Sequence, residues 1–589
     1  MNRLVLLALV MAACTHDAPF PGSKDDRIVV VIDDKVKTLD PRFVTDAVSV
    51  RVSRLVFASL ASVDNAKLIP EPSMAARWDQ DPRDPALWLV TLREGLRWHD
   101  GVPVTADDVV YTFHSVMDPA LGSPLRDAYA AAFESVTAID PLTVSFRLKE
   151  PLATFLTDLV LGIVPKHIVE PLGGRFDGTR FVGCGPYRLL AMDGKRVDLE
   201  AAPVPPVAKL PHHALEVGEA VPKALLAPKT RYLSFVTAVD EGTRILSILS
   251  GTADLLQGTI SPVLARELEA NRRLVVDWAP SIAFSYVALN LRREGLDDVR
   301  VRQALAYATP RETIVASHLA GHATLATGMF SPLHWSYHRD VATYPFDIPR
   351  ARALLAAAGY GPSRPLTLTM KVSTHRLRRA IARMIAEGWK QAGVEVDVRS
   401  YEFSTFFADI RSGNFDAYLL DQPEPMEPDL YRWMLHSLAT PQKDRGAAEA
   451  ASVYARYDRR FLPPGTLSDA IRGDPVCAGW ATLATRSAIQ NAVFTAFGDP
   501  TPYSTANRMG YANPQVDCRL ELGRITLDRK RRKQLYDEVQ AALALDLPVI
   551  PLWHADTPVV RRKRLQGYTA LPNQRWGGLV GASLSAAER

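Results

Sequence analysis

Between Leu92 and Phe113 the chain reads LREGLRWHDGVPVTADDVVYTF, a short stretch that brings together His99, Asp100, Asp107 and Asp108. A histidine among carboxylates is the raw material of a metal site or of general acid–base chemistry. The spacing assigns these residues a different use. His99 has no second histidine at ligand spacing, so no metal is expected there. LWLVTLREGLRW, from Leu87, is rich in strand formers and broken by Gly95, which predicts a hairpin, and His99-Asp100-Gly101 supplies Asp-Gly turn chemistry. Thr105 with Asp108 forms the pattern of a capping box, and Asp107 adds negative charge to the first turn of a helix running ADDVVYTFHSVM. The cluster is scaffolding that holds a turn and a helix end.

Other routes to catalysis are equally thin. The chain contains no GxSxG elbow and no HExxH helix, and His212 and His213, adjacent beside Pro211, do not share a helical face. An exported hydrolase is therefore only a remote alternative, and a protein that is not an enzyme and needs no cofactor is expected. Cys184, in VGCGPY, has no His or Asp signature beside it and reads as a small buried residue.

The elements that position these residues begin with an export signal. MNRLVLLALVMAAC places Arg3 before an apolar run from Leu4 to Val10, too short to span a bilayer yet suited to a signal peptide over residues 1–13. Met11-Ala12-Ala13-Cys14 resembles a lipobox, which makes Cys14 the expected lipidation site, and residues 14–27 read as a tether. The location implied is the periplasm or cell envelope, outside the cytoplasm, where disulfides are permitted. Three cysteines remain after Cys14, so at least one thiol is free, and Cys477 with Cys518 is the pair expected.

At 589 residues the chain is too long for one core. Hydrophobic residues make up 47% and charged residues 23%, with a net charge of only +4 and no basic stripe interleaved with aromatics, so nucleic acid is excluded as a partner. RLRRAIAR reads as the wet face of a helix that buries Leu377, Ile381, Met384 and Ile385. Helices alternate with strands through much of the chain. RIVVVID reads as a strand and APVPPVAKLP as a spacer, and a helix ends at Gly251. Another begins at Thr309, with Pro310 at N1 and Glu312 as capping partner. DIPRARALLAAAGY is bounded by Asp347 and Gly359, and RAIARMIAEGWKQAG runs into the alternating VEVDVRSY. This is an α/β pattern.

LREGLRWHDGVPVTADDVVYTF also resembles a signature of the bacterial extracellular solute-binding proteins of family 5, the dipeptide- and oligopeptide-binding components of ABC importers. Collinear matches follow the same order: TLDP at Thr38–Pro41, LVFASLASVDNAKLIPEPSMAARW, VGCGPYRL from Val182, DVRVRQALAYATPRETIV from Asp298, MGYANPQVDCRLE and DLPVIPLWH. The resemblance implies a two-lobed α/β periplasmic-binding-protein fold (type II, cluster C) with an extra subdomain inserted in lobe one. Lobe one is expected at 28–59, 169–264 and 515–589, the inserted subdomain at 60–168, and lobe two at 265–514, with a family-atypical insertion at about 440–505. Two hinge strands join the lobes.

The function the resemblance implies is capture of a peptide in an interlobe cleft by hinge closure and delivery to an ABC permease, by a monomer held to a membrane only through its lipid. Relatives also bind nickel chelates, haem, oligosaccharides and opines, and a sensor or receptor role on the same fold is a further alternative. In peptide-binding relatives a carboxylate just after a strand, in an acidic, proline-containing loop, takes the ligand ammonium. Here the matching region is FDAYLLDQPEPMEPDLYRW, with Glu424 as the first choice and Asp421 second, although Leu420-Asp421 stands where the family commonly has Gly-Trp. Lys371, His375 and Arg376 lie where some relatives place a base for the ligand carboxylate, and Trp335, Tyr337 and Trp433 are pocket aromatics.

Overall fold

The run Ile28-Val29-Val30-Val31-Ile32 forms a strand buried at every position, as an unbroken β-branched stretch requires when both faces are covered. It belongs to a computed structural model that describes residues 20–63, 67–178, 180–202, 226–436, 477 and 506–585. The signal peptide, Cys14, the proline-rich spacer after Ala202 and all of the 440–505 insertion except Cys477 lie outside the described residues. Among the described residues, strands of three residues or more are β1 (Arg27–Ile32), β2 (Ala75–Gln80), β3 (Leu87–Leu92), β4 (Phe133–Asp140), β5 (Thr143–Leu148), β6 (Tyr187–Met192), β7 (Arg196–Ala201), β8 (Tyr232–Thr237), β9 (Leu255–Gln257), β10 (Leu274–Ala279), β11 (Phe284–Leu289), β12 (Ala323–Leu325), β13 (Leu366–Ser373), β14 (Val394–Tyr401), β15 (Ala417–Gln422), β16 (Val549–Ala555) and β17 (Thr557–Arg562). Helices framing them are α1 (Ala47–Val56), α2 (Ala106–Met117), α3 (Glu241–Ser250), α4 (Val299–Tyr307), α5 (Arg311–His318), α6 (Ile348–Ala357), α7 (Arg376–Gln391), α8 (Phe403–Arg411), α9 (Leu430–Leu435), α10 (Pro514–Ile525) and α11 (Arg529–Asp546).

Three sheets carry the architecture. A seven-stranded sheet runs β10-β17-β9-β1-β8-β7-β6, a six-stranded sheet runs β12-β16-β11-β15-β13-β14, and a four-stranded antiparallel sheet runs β2-β3-β5-β4. The last has its own core, from Leu60 and Trp88 through Phe113, Phe146 and Phe155. The chain passes between the two large sheets twice. It leaves β10 and enters β11 through residues 280–283, and it leaves β16 and enters β17 through Asp556 alone.

Strand pairing therefore moves the boundaries read from sequence. β10, expected in the second lobe, pairs along its whole length with β17 in the seven-stranded sheet. Most of the 515–555 stretch, expected in the first lobe, sides with the second: β16 pairs with β11, and Val516, Leu520, Tyr536, Val539 and Leu543 share a core with Phe284, Phe406 and Tyr418. The crossings come later than 264/265 and 514/515 because each is a single extended stretch that changes sheet partners mid-course.

Local signals mostly act as their chemistry dictates. Asp347 caps α6 by accepting from the Arg350 N–H, and Gly251 ends α3 in the left-handed conformation at φ 79°. Asp108 accepts from the Thr105 N–H at 2.9 Å, and its two carboxylate oxygens also take the Trp98 indole and the Lys166 N–H, so it ties three segments together. Two expectations differ. β3 pairs with β2 and β5 rather than forming a hairpin across Gly95; the turn at Asp100-Gly101 closes only a small loop, with the Trp98 N–H donating to Val102 O. Thr309 does not cap α5: its hydroxyl donates back to Leu305 O in α4 and accepts from the Trp389 indole, leaving Pro310 as the cap residue.

Candidate functional site

In open α/β sheets ligands bind beyond the carboxyl ends of the parallel strands. In the first large sheet β1 runs parallel to β8 and β9, which end at Ile32, Thr237 and Gln257. In the second β13 runs parallel to β14 and β15, which end at Ser373, Tyr401 and Gln422. The crossings lie at these same ends. β17 is antiparallel to β9, pairing Gln257 with Val559, and β11 is antiparallel to β15, pairing Phe284 with Gln422. Both sets of carboxyl ends thus converge on one interlobe cleft, hinged at residues 280–283 and Asp556.

Charged residues of both signs meet there. On the second lobe Asp421 ends β15; its Oδ2 takes Arg378 Nη2 at 2.7 Å and its Oδ1 takes the Ser285 hydroxyl at 2.7 Å. Glu424, three residues on, reaches the opposite lobe, where its Oε2 lies 3.4 Å from Nη2 of Arg575. Arg575 is almost wholly buried and Glu424 is about a quarter exposed, so the pair closes part of the cleft upon itself. His375 stands exposed at the β13–α7 junction; desolvation and the nearby Arg378 depress its pKa, opposed by Asp421 beside it and by Glu241 and Asp33 of the first lobe.

From the first lobe Arg51, in α1, donates Nη2 to Gln574 Oε1 at 3.1 Å. Burial depresses its pKa, opposed by the fields of Glu424 and Asp33 and reinforced by Arg575. Gln574 sits at φ 58°, a strained conformation for a residue with a side chain, and is held by a donor bond from its Nε2 to Ser281 Oγ in the hinge and by Gln257 Nε2 on its own carbonyl.

The predicted site residues separate into two groups. Asp421 and His375 lie near one another at the strand ends of the second lobe, Glu424 reaches Arg575, and Arg376 begins α7 beside His375, exposed. Lys371 points behind the sheet, where its Nζ is 2.7 Å from Asp409 Oδ2 of α8 and lies over the Tyr401 ring. Trp335 packs against Arg529 and Arg532 of α11, Tyr337 offers its carbonyl to Lys533, and Trp433 is half exposed on α9. Sequence reasoning missed Arg51, Arg378 and Arg575. Arg378 had a local signal, one helical turn beyond the β13 end; the other two did not.

Cys477 and Cys518 are joined by a disulfide that pins residue 477 to α10, and Cys184 is free and buried. Among the described residues no group of three His, Cys, Asp or Glu side chains gathers as for a metal, and no helix is long and apolar enough to cross a membrane. A concavity of about 510 Å³ lies outside the cleft on α2, lined by Asp107, Tyr111, His114, Lys166, Glu170 and Arg175. Its charges are mixed and it touches neither hinge nor strand ends.

Comparison with known proteins agrees with this geometry. The chain is 26% identical to the glutathione-binding protein GsiB of Shigella boydii serotype 4 over 576 residues, 97% of each chain. It is 27% identical over 444 residues to the periplasmic oligopeptide-binding protein OppA of Salmonella typhimurium, covering 70% of this chain and 78% of that one. The structure of NikZ from Campylobacter jejuni in complex with Ni(L-His) superposes with a TM-score of 0.70 at 21% identity, covering 95% of this chain and 100% of NikZ. Residues 70–440 match the profile of the bacterial extracellular solute-binding proteins, family 5 Middle. With its hinged cleft, its strand ends and this match, the chain belongs to family 5 of the bacterial extracellular solute-binding proteins, which bind solutes for ABC import and are not enzymes.

Proposed function

We propose that the chain captures short peptides with a free amino terminus, closing its lobes on them and presenting the closed form to the permease of an ABC importer. The observation that carries this reading is the Glu424 carboxylate, which projects from the carboxyl edge of the second sheet to meet Arg575 of the first. A ligand ammonium entering the cleft replaces Arg575 on Glu424, so the ligand itself links the lobes. Binding then shifts the open–closed equilibrium by the difference in its affinity for the two states. Between the facing strand ends, an extended peptide finds backbone donors and acceptors, and ordered water in roomy side-chain pockets tolerates varied residues. The names of GsiB and OppA, a glutathione binder and an oligopeptide binder, support the same class of cargo. Cys14, if lipidated after removal of residues 1–13, tethers the mature protein to a membrane surface while it works as a monomer.

Glu424→Gln tests the reading. The variant is expected to bind free-amino tripeptides about 10- to 100-fold more weakly by titration calorimetry, the loss of a charge-assisted contact, while N-acetylated peptides bind weakly to both forms. Unchanged affinity in the variant removes Glu424 as the anchor. Native mass spectrometry of the protein from its own envelope should find a co-purifying peptide; a nickel chelate, haem, a sugar or an opine there would replace the peptide reading.

A further inference from the structure

Arg51 is a largely buried guanidinium without a counter-ion. Among the described residues no carboxylate lies within ion-pair distance of it. Its one hydrogen bond goes to the neutral amide of Gln574, and its Nε–H is buried with no acceptor. Trp576, whose ring centre is 5.9 Å from the guanidinium, also leaves a buried indole N–H without an acceptor. Burying an unpaired charge is among the most destabilising things a fold can contain, and sites that keep one generally meet the compensating charge in a ligand. Within the first lobe its only hydrogen-bond partner among the described residues is the neutral Gln574 amide, and the Asp33 carboxylate acts on it only as a field. Yet Arg51 lies beside the Glu424 pair: it bonds Gln574, the residue before Arg575, and the negative charge of Glu424 is among the fields acting on it.

We propose that Arg51 is the receptor for an anionic group of the ligand, a carboxylate carried within one residue of the ammonium that Glu424 takes. This rests on the peptide reading above and deepens it: the preferred cargo is a peptide whose first residue is acidic, or one that carries a free carboxylate beside its amine. Arg575, released from Glu424 when the ligand enters, is a second cation on the same wall.

The test uses Glu-Ala-Ala and Gln-Ala-Ala, which differ only in the charge of the first side chain, titrated into the full protein and into Arg51→Met. The wild type is expected to favour Glu-Ala-Ala by about tenfold or more, the usual worth of a charge-assisted bond, and Arg51→Met to lose that preference. Equal affinity of the wild type for both peptides, or a preference that survives in Arg51→Met, overturns the assignment and leaves the peptide reading standing. Binding of neither peptide removes the peptide reading, and this proposal with it. Melting of the unliganded proteins gives a second readout. Arg51→Met should melt higher than wild type, because the uncompensated charge is gone; a lower melting temperature makes the guanidinium a structural clamp on Gln574 and refutes the receptor role.

Discussion

Gly183 and Gly185 lie where the chain crosses the end of α1, and that contact sets the helix that carries Arg51. A β-carbon on Gly183 would stand 2.0 Å from Val56 O, and one on Gly185 2.6 Å from Leu55 O, distances no side chain tolerates. The close approach lets the Gly185 N–H reach Val56 O at 2.8 Å, while His99 locks the same loop, accepting the Gly183 N–H at Nδ1 and facing Gly185 O from Nε2. The HDG turn and the VGCGPY segment, recognisable separately in the sequence, are thus one joint. Gly183→Ala is expected to lose about 3 kcal/mol of stability through backbone displacement, read as a lowered unfolding midpoint, whereas Gly194→Ala, with no neighbour near its would-be β-carbon, should change it by less than about 0.5 kcal/mol. Similar losses at both sites would refute the packing argument. Cys184, inside the joint, has its thiol pushed up to about 12 by burial, which fits a packing residue and not a nucleophile. At this scale the sequence revealed which residues were structural, because caps and turns are local. It did not reveal Arg51 or Arg575, which are far apart along the chain and meet only through the packing of α1 against the C-terminal segment.

Elements were largely legible because their periodicity is a local consequence of burial. α7 buries Ile381, Ile385 and Trp389 on one face, as its spacing requires, and β14 alternates along most of its length. The false hairpin at Gly95 and the false cap at Thr309 share a cause. Each local signal was genuine, but a partner distant in sequence, β5 in one case and Trp389 in the other, offered the better pairing. One contact between elements had no sequence signal at all. The segment Phe155–Asp158 of the small-sheet subdomain meets the loop before α9 and the end of α10: Thr157 donates to Glu427 at 2.8 Å, Glu427 meets Arg532 at 2.9 Å, and the Ala153 N–H donates to Arg524 O. Here burial, with Glu427 and Asp429 adding to it and Arg524 opposing, pushes Asp158 up to about 8. A carboxyl whose folded pKa lies above its unfolded value favours the fold while protonated and loses that advantage as pH rises toward the folded pKa. Asp158→Asn, neutral at every pH, should therefore melt well above wild type at about pH 8.5 and by a smaller margin at about pH 5, the margin vanishing only below the unfolded pKa of about 3.9. A lower melting temperature at both would mean that an ionised Asp158 paired with Arg524 holds the subdomain in place.

For the whole molecule, buried titrating groups of opposite sign fix where it is most stable. His99, His334 and His554 are each pushed down to about 4, in every case mainly by desolvation. Unfolded, each titrates near about 6.5, so between that value and about 4 the unfolded chain binds more protons than the folded one and stability falls as pH falls. The slope is at most about 1.4 kcal/mol per pH unit for each histidine. Asp158 works the other way, and on the alkaline side of the histidine range it acts without them, so stability falls there as pH rises toward about 8. The two arms meet near the histidine midpoint. Denaturant unfolding of the ligand-free protein should give its highest midpoint near about pH 6.5, with lower values at about pH 5 and about pH 8, the steeper fall lying on the acid side where three histidines outweigh one aspartate. Because two large sheets and a third subdomain need not unfold together, the midpoint to follow is that of the first transition. A midpoint that climbs steadily to pH 8 would mean that Asp158 and its neighbours are ionised in the native protein. The subdomain contact would then be an ion-pair network.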